Sequence, residues 1–346
     1  MRAAIFNKPG LIMVGERPDA AIVEPTDAVV RVALASVCGS DLWYYRGETP
    51  YEPGPIGHEF IGIVEDVGAD VRSLRTGDLV IAPFAFSDGT CPHCRRGLTS
   101  ACTNGGFIPA GNGDGGQGEA VRVPLADSTL VRVPGSGHSD EVLESLLTLT
   151  DVMGTGHHAA VCARVTTGDS VAVVGDGAVG LCGVLAARRL GADRIIALSR
   201  NPARQEVARA FGATDIVEGR GDEAIAAVLE LTGGIGVDAT LECVGTGEAM
   251  ETALWIARPG SMVGYVGLPH GVEFPVVQLF VRHTGVFGGS APVRTYIPEL
   301  LDDVLEGRIA PGKVLDFVTD LDGVAEAYAA MSQRGAIKSL LRVSAI

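Results

Sequence analysis

The sequence predicts an α/β protein of two units, one mostly β and one built on a doubly wound parallel sheet with helices on both faces. Three observations predict it. Up to residue 151, short apolar runs are separated by Gly, Pro and Asp turns. From 152 to 290, apolar strands alternate with helix-length amphipathic runs. And 346 residues are more than one core holds comfortably but suit two domains of ordinary size, with a cleft expected between them.

Within 1–151, the runs AAIF, AAIVE, AVVRVALAS, GIVEDV, LVIAPF and EAVRVP read as strands bounded by turn residues. From 152 to 290, SVAVVG leads into AVGLCGVLAARRLG and RIIALSR into PARQEVARAFG, and then DIVEG, AIAAVLELTGG and VDATLECVG keep the rhythm. Such alternation implies right-handed βαβ crossovers and a parallel sheet. Residues 291–346 hold a helix in PELLDDVLEGR, another around VAEAYAAMSQ and a terminal strand in IKSLLRV. That is too little for a domain, so the tail is expected to return and complete the first unit, which makes the second an insertion. GNGDGGQG at 111–118 reads as a flexible structural loop.

Composition narrows the function. Apolar residues make up 47% of the chain and charged ones 20%, a balance suited to packed cores. The net charge of −15 leaves no surplus of Lys and Arg for a nucleic-acid face, so the expected substrates are small and neutral. The opening MRAAIFNKPGLIMV lacks an apolar core and cleavage site for export, and no 18-residue stretch is free of charge, so a cytoplasmic protein is expected. Seven cysteines at irregular spacing do not form a disulfide framework. In a reducing compartment the clustered ones point to metal, while Cys162, Cys182 and Cys243, in apolar surroundings, read as small buried hydrophobes.

A glycine fingerprint follows the first strand of the second unit. Gly175, Gly177 and Gly180, with Ala178 and Val179 between them, form G-x-G-x-x-G after SVAVV and before a helix. In this setting the first glycine makes the tight turn, the second admits a pyrophosphate, and the third lets helix and strand pack closely. The helix N-terminus then offers unpaired N–H groups to the phosphates. The next strand, RIIAL, ends in Ser199 and Arg200 with Arg204 one turn on, and lacks the carboxylate that pairs with the ribose 2′-OH of NAD. A hydroxyl and guanidinium groups suit a 2′-phosphate, so NADP(H) is expected in preference to NAD(H), although a surface arginine also reads as an ordinary solvated charge.

Upstream stand CGSDLWYY from Cys38, GHEFIGIVEDVGADV from Gly57, and LTDVMGTGHHAA around Asp151. The pattern G-H-E-x2-G-x5-G-x2-V is met by Gly57, His58, Glu59, Gly62, Gly68 and Val71. Together these resemble the zinc-containing alcohol dehydrogenases of the medium-chain dehydrogenase/reductase superfamily, in the same order along the whole chain. The resemblance implies a GroES-like, mostly-β catalytic domain over 1–151, completed by 291–346, and a Rossmann domain over 152–290. It implies hydride transfer between a small alcohol, or its aldehyde or ketone, and NADP(H) or NAD(H).

The resemblance also assigns residues. A catalytic zinc would be held by Cys38, His58 and Asp151, with Glu59 as a fourth or exchangeable ligand. Ser40 would pass the substrate proton outward and Asp41 would orient His58. Cys91, Cys94 and Cys102 match three of four thiolates of a structural-zinc lobe at about 88–104, and Asp88 stands where the fourth belongs; His93 is a poorly spaced substitute. Lys338 corresponds to a basic residue that reaches the cofactor phosphates, and Val244, Val266 and Gly267 would bring backbone to the nicotinamide. A homodimer or homotetramer is implied, with GVFGG at 285–289 as a sheet edge. The chain departs from many relatives at Trp43, where they carry a histidine that ends the proton relay; Trp43 and Tyr44 read equally as pocket walls and as packing aromatics.

Each ligand also has an ordinary reading: a buried cysteine, a core histidine, or an aspartate that caps the next helix. His157 and His158, outside any motif, read as structural. Two rival functions stand beside the main one. A zinc-free quinone or enone reductase of the same superfamily would lack the Cys38, His58 and Asp151 set, and a non-catalytic nucleotide-binding or structural protein would need neither the donors nor the glycine turn.

Overall fold

The computed structural model describes residues 1–109 and 113–346, so Gly111 and Asn112 of the glycine-rich loop lie outside the described residues. The chain divides into two compact units, Met1–Asp151 with Pro292–Ile346, and Val152–Ala291.

The first unit is built on a seven-stranded sheet. Its strands run Val131–Arg132, Leu79–Ala82, Glu59–Val67, Ala28–Ser36, Lys338–Arg342 and Leu315–Asp320, and Ala120–Val123 also pairs with Ala28–Ser36. AVVRVALAS is apolar at nearly every position because it lies at the centre, with only Arg31 not buried. It pairs antiparallel with Glu59–Val67, placing Ser36 opposite Glu59, and with Lys338–Arg342, placing Leu340 opposite Ser36. That register gathers Ser36, Glu59 and the residues around Lys338 at one end of three strands. Phe6, Ile56, Phe60, Tyr328 and Leu341 fill the core beneath, each such side chain contributing about 1.5–3 kcal/mol on full burial.

Two segments differ from the sequence reading. AAIVE forms no strand: Val23 is 67% exposed, and the N–H groups of Val23 and Glu24 donate to Asp27 Oδ2 at 3.0 and 2.7 Å instead of to a neighbouring strand. Conversely, Leu11–Glu16 is a strand, folded back on Arg2–Lys8 in an antiparallel hairpin. The described part of the glycine-rich loop is not a loose surface segment either, since Gly115 to Gly118 are buried.

The second unit carries six parallel strands in the order Asp215–Val217, Arg194–Leu198, Ser170–Val174, Val237–Glu242, Ala257–Tyr265 and Gly285–Gly288. This is the doubly wound order, and it reverses between Ser170–Val174 and Val237–Glu242, the place where such sheets bind ligands. Helices start where the local chemistry permits. Asn201 caps Pro202–Phe211 through its side chain, and Thr246 caps Gly247–Ile256. Among the described residues, no helix is long and apolar enough to cross a membrane.

Candidate metal centre and nucleotide-binding edge

The first unit brings four predicted residues together. One ligand atom from each of Cys38, His58, Glu59 and Asp151 lies within 4.8 Å of the others. Cys38 follows the central strand, His58 and Glu59 open the strand beside it, and Asp151 ends the segment before the helix Val152–Cys162. Asp151 Oδ2 is 3.3 Å from Cys38 Sγ and 3.5 Å from His58 Nε2, so its carboxylate faces the cluster. Burial, with the carboxylates of Asp151 and Glu59 close by, pushes the Cys38 thiol up to about 12. Burial alone would depress His58, yet the Asp41 carboxylate, helped by Cys38 and Asp151, holds it well above the ordinary imidazole range. Thiolate, imidazole and carboxylate donors converging on one point are a zinc-type set, and a divalent cation there would reverse the charge balance that protonates Cys38.

A second layer fixes these donors. Asp41 Oδ1 lies 3.5 Å from His58 Nδ1, leaving Nε2 directed at the cluster. Its Oδ2 accepts from Cys38 N at 3.0 Å and from Gln117 Nε2 at 3.3 Å. Gln117 in turn donates to Ser36 O at 3.1 Å and accepts from Tyr328 Oη at 2.9 Å. A Cβ on Gly57, whose φ is +91°, would stand 2.5 Å from Gln117 Cγ, so glycine is needed there for this approach. The sequence reading did not single out Gln117, Tyr328 or Ser36. The only signal, glycines flanking a lone glutamine, looks like loop composition.

Glu59 and Lys338 form a wholly buried ion pair. Lys338 Nζ is 2.8 Å from Glu59 Oε1 and 2.7 Å from Oε2, and it donates to Val37 O at 3.0 Å, while Ser36 Oγ donates to Glu59 Oε2 at 2.5 Å. The resemblance assigns Lys338 to the cofactor phosphates; the structure places its ammonium entirely inside the first unit, where a buried cation requires such a counter-ion. Ser40 precedes the short helix Asp41–Arg46 without capping it, and Trp43 and Tyr44 lie on that helix, with Tyr44 packed on Tyr51 at 4.5 Å between ring centres.

The lobe forms the other cluster, in which ligand atoms of Asp88, Cys91, Cys94 and Cys102 also lie within 4.8 Å of one another. Asp88 Oδ1 accepts from Cys91 N at 2.9 Å and Thr90 N at 2.8 Å, and Oδ2 from Asn104 Nδ2 at 2.6 Å, which holds the carboxyl well below its usual range. Backbone N–H groups of Cys94 and Thr103 bring the Cys91 thiol down to about 6, whereas burial raises Cys94 to about 12. His93 is exposed and outside the cluster.

In the second unit the predicted nucleotide-binding residues line the C-terminal edge of the sheet. Gly177 precedes the helix Ala178–Arg189 in ordinary extended geometry with no side-chain cap. Among the described residues a Cβ there would meet nothing within 4 Å beyond its chain neighbours, while one on Gly180 would sit 2.0 Å from Gly175 O. An open backbone at the second glycine and a closed one at the third fit a pyrophosphate on the helix N-terminus. Val244 follows Val237–Glu242, Val266 and Gly267 follow Ala257–Tyr265, and Glu242 Oε1 accepts from Val244 N and Gly245 N, both at 2.8 Å. Ser199 Oγ donates to Asp176 Oδ2 at 2.9 Å, and Arg204 Nη1 to Asp176 O at 2.9 Å; Arg200 is exposed. Neither Asp176 nor Glu242 was singled out from the sequence. Elsewhere in this unit His158 lies 3.4 Å from Cys162 Sγ.

A zinc-type donor set in a β unit, joined in one chain to a doubly wound nucleotide-binding sheet, defines a zinc-dependent alcohol oxidoreductase. Residues 24–135 match the family described as alcohol dehydrogenase GroES-like domain, and residues 178–306 the family described as zinc-binding dehydrogenase. The chain is 33% identical over 339 residues to zinc-type alcohol dehydrogenase B of Aspergillus flavus, covering 95% of this chain and 78% of that one. It is 32% identical over 323 residues to the NADP-dependent isopropanol dehydrogenase of Thermoanaerobacter brockii, covering 90% of each. Among solved structures it is similar to alcohol dehydrogenase TADH from Thermus sp. ATN1, with a TM-score of 0.92, 34% identity, and 99% of this chain and 100% of that one covered. The chain belongs to the zinc-containing alcohol dehydrogenases of the medium-chain dehydrogenase/reductase family.

Proposed function

We propose that this enzyme interconverts a small uncharged alcohol and its aldehyde or ketone with NADP(H) in preference to NAD(H), at a zinc held by Cys38, His58 and Asp151. The observation that carries the reading is the convergence of those donors within 4.8 Å. Zinc bound there supplies a Lewis acid for the substrate oxygen, and the nicotinamide exchanges the hydride. Asp41 fixes the imidazole that faces the metal. Glu59, already paired with Lys338, serves as a reserve ligand. Ser40 accepts the substrate proton and, with Trp43 in place of a relay histidine, hands it to water. Gly175, Gly177 and Gly180 seat the pyrophosphate, and Val244, Val266 and Gly267 present backbone to the nicotinamide. Ser199, Arg200 and Arg204 favour a 2′-phosphate, a reading supported by the NADP dependence in the name of the Thermoanaerobacter brockii relative.

Asp88, Cys91, Cys94 and Cys102 hold a second, structural zinc. The enzyme works in the cytoplasm as a homodimer or homotetramer. The open edge Gly285–Gly288 supports self-association, as does the preceding helix Val276–Arg282, whose Val276, Val277, Phe280 and Val281 are 67–80% exposed. The test combines metal analysis with turnover of a panel of alcohols and ketones. Wild-type protein is expected to carry about two zinc ions per chain and C38S about one, with loss of turnover. Full turnover by metal-free protein would overturn the reading in favour of a zinc-free reductase.

A further inference from the structure

The strand Arg194–Leu198 has no carboxylate at its end, yet the fold delivers one there from the glycine turn. Asp176, between Gly175 and Gly177, accepts from Ser199 Oγ through Oδ2 at 2.9 Å. Its Oδ1 lies 3.5 Å from Arg204 Nη1, and its backbone oxygen accepts from the same nitrogen at 2.9 Å. Ser199 and Arg204 are only 4% and 5% exposed, so these partners are enclosed with the carboxylate. A second carboxylate stands close by: Gln205 Nε2 donates to both Ser199 O and Glu218 Oε1, each at 2.9 Å. The hydroxyl and one of the two guanidinium groups assigned to a 2′-phosphate are therefore already answering to an acid. Arg200 alone of the three is exposed.

We infer that Asp176 is a specificity-determining residue, which holds Arg204 and Ser199 to the glycine turn and keeps the preference for 2′-phosphorylated cofactor below what Ser199, Arg200 and Arg204 alone would give. The inference rests on the assignment of those three residues to the adenosine ribose. It follows from charge and reach: a carboxylate one hydrogen bond from Ser199 repels a phosphate docked there, and a guanidinium already neutralised attracts it less. Removing the charge while keeping a hydrogen-bonding side chain should release both effects.

The full-length, zinc-loaded protein is titrated with NADPH and with NADH, and binding is followed by nicotinamide fluorescence. For D176N and D176S the ratio of the NADH to the NADPH dissociation constant is expected to rise about tenfold, NADPH tightening while NADH stays within about twofold. Adding Arg204→Met to D176N should cancel most of the gain. A wild-type preference for NADH with a ratio that still rises in D176N overturns the NADP(H) reading and leaves the role of Asp176 standing. An unmoved ratio, or equal loss of both cofactors in both single variants, overturns the role of Asp176 whichever cofactor the wild type prefers.

Discussion

Gly177 and Gly180 belong to one fingerprint, but the structure separates their duties, and alanine at each tests that separation. At Gly180 a methyl would be placed 2.0 Å from Gly175 O and 2.8 Å from Gly175 C, both backbone atoms that cannot rotate away. Relief requires moving the turn off the helix, a cost of about 3–4 kcal/mol in line with overpacked sites. For a unit of this size the melting temperature should fall by about 10 °C. At Gly177 the backbone angles, φ −75° and ψ 176°, suit alanine, and among the described residues no atom beyond its chain neighbours lies within 4 Å of the added methyl. Its stability should stay within about 0.5 kcal/mol of wild type, or improve slightly through a less flexible unfolded chain. With the pyrophosphate seated as proposed, the same methyl projects into its approach, so NADPH binding should weaken at least about tenfold. Differential scanning calorimetry and fluorescence titration read the two quantities independently. Wild-type cofactor affinity in Gly177→Ala, or a wild-type melting temperature in Gly180→Ala, would refute the division of labour.

Asp41→Ala removes the partner of His58 Nδ1 and should lower zinc affinity by about 10–100-fold, measured as metal retained after dialysis against a graded chelator series. His158 is pulled down to about 4 by burial from an ordinary value of 6.5, so the folded state refuses a proton that the unfolded chain accepts. Stability should therefore rise with pH between about 4 and 6.5, by roughly 3 kcal/mol in all, and His158→Gln should flatten that part of a urea-unfolding series. Phe280→Glu places a charge on a side chain that is 80% exposed, and if a second copy covers this face, light scattering should show a shift toward monomer. An unchanged mass would remove Val276–Arg282 from the interface.

What the sequence made legible was whatever is encoded locally. The parallel unit could be read because SVAVV, the glycine turn and the helix after it are contiguous. AAIVE misled because its letters suit a strand while no neighbouring strand reaches it, and Leu11–Glu16 went unread because its pairing depends on a turn at Gly10 and not on its own weak alternation. The candidate metal donors Cys38, His58 and Asp151 lie far apart in the chain and surfaced only through a resemblance to a family. Asp176 occupies a position the fingerprint leaves free, and its importance depends on Ser199 and Arg204 arriving from another strand and helix. Gln117 was hidden among glycines, and nothing in its surroundings announced the bond to Asp41.

The strand Lys338–Arg342 sits between Ala28–Ser36 and Leu315–Asp320, yet the whole of Val152–Ala291 intervenes along the chain. On the ribosome, every strand of the second unit therefore emerges before the first unit receives one of its inner ones. Cys38, His58 and Asp151 are synthesised early, but the ammonium that neutralises Glu59 beside them arrives only with residue 338. A nascent chain stalled short of that point carries the thiol, imidazole and carboxylate of the candidate metal site with Glu59 still lacking its ammonium partner and the Leu34–Ser36 flank of its central strand uncovered. Completion of the Glu59 ion pair therefore waits until the whole of the second unit has been made.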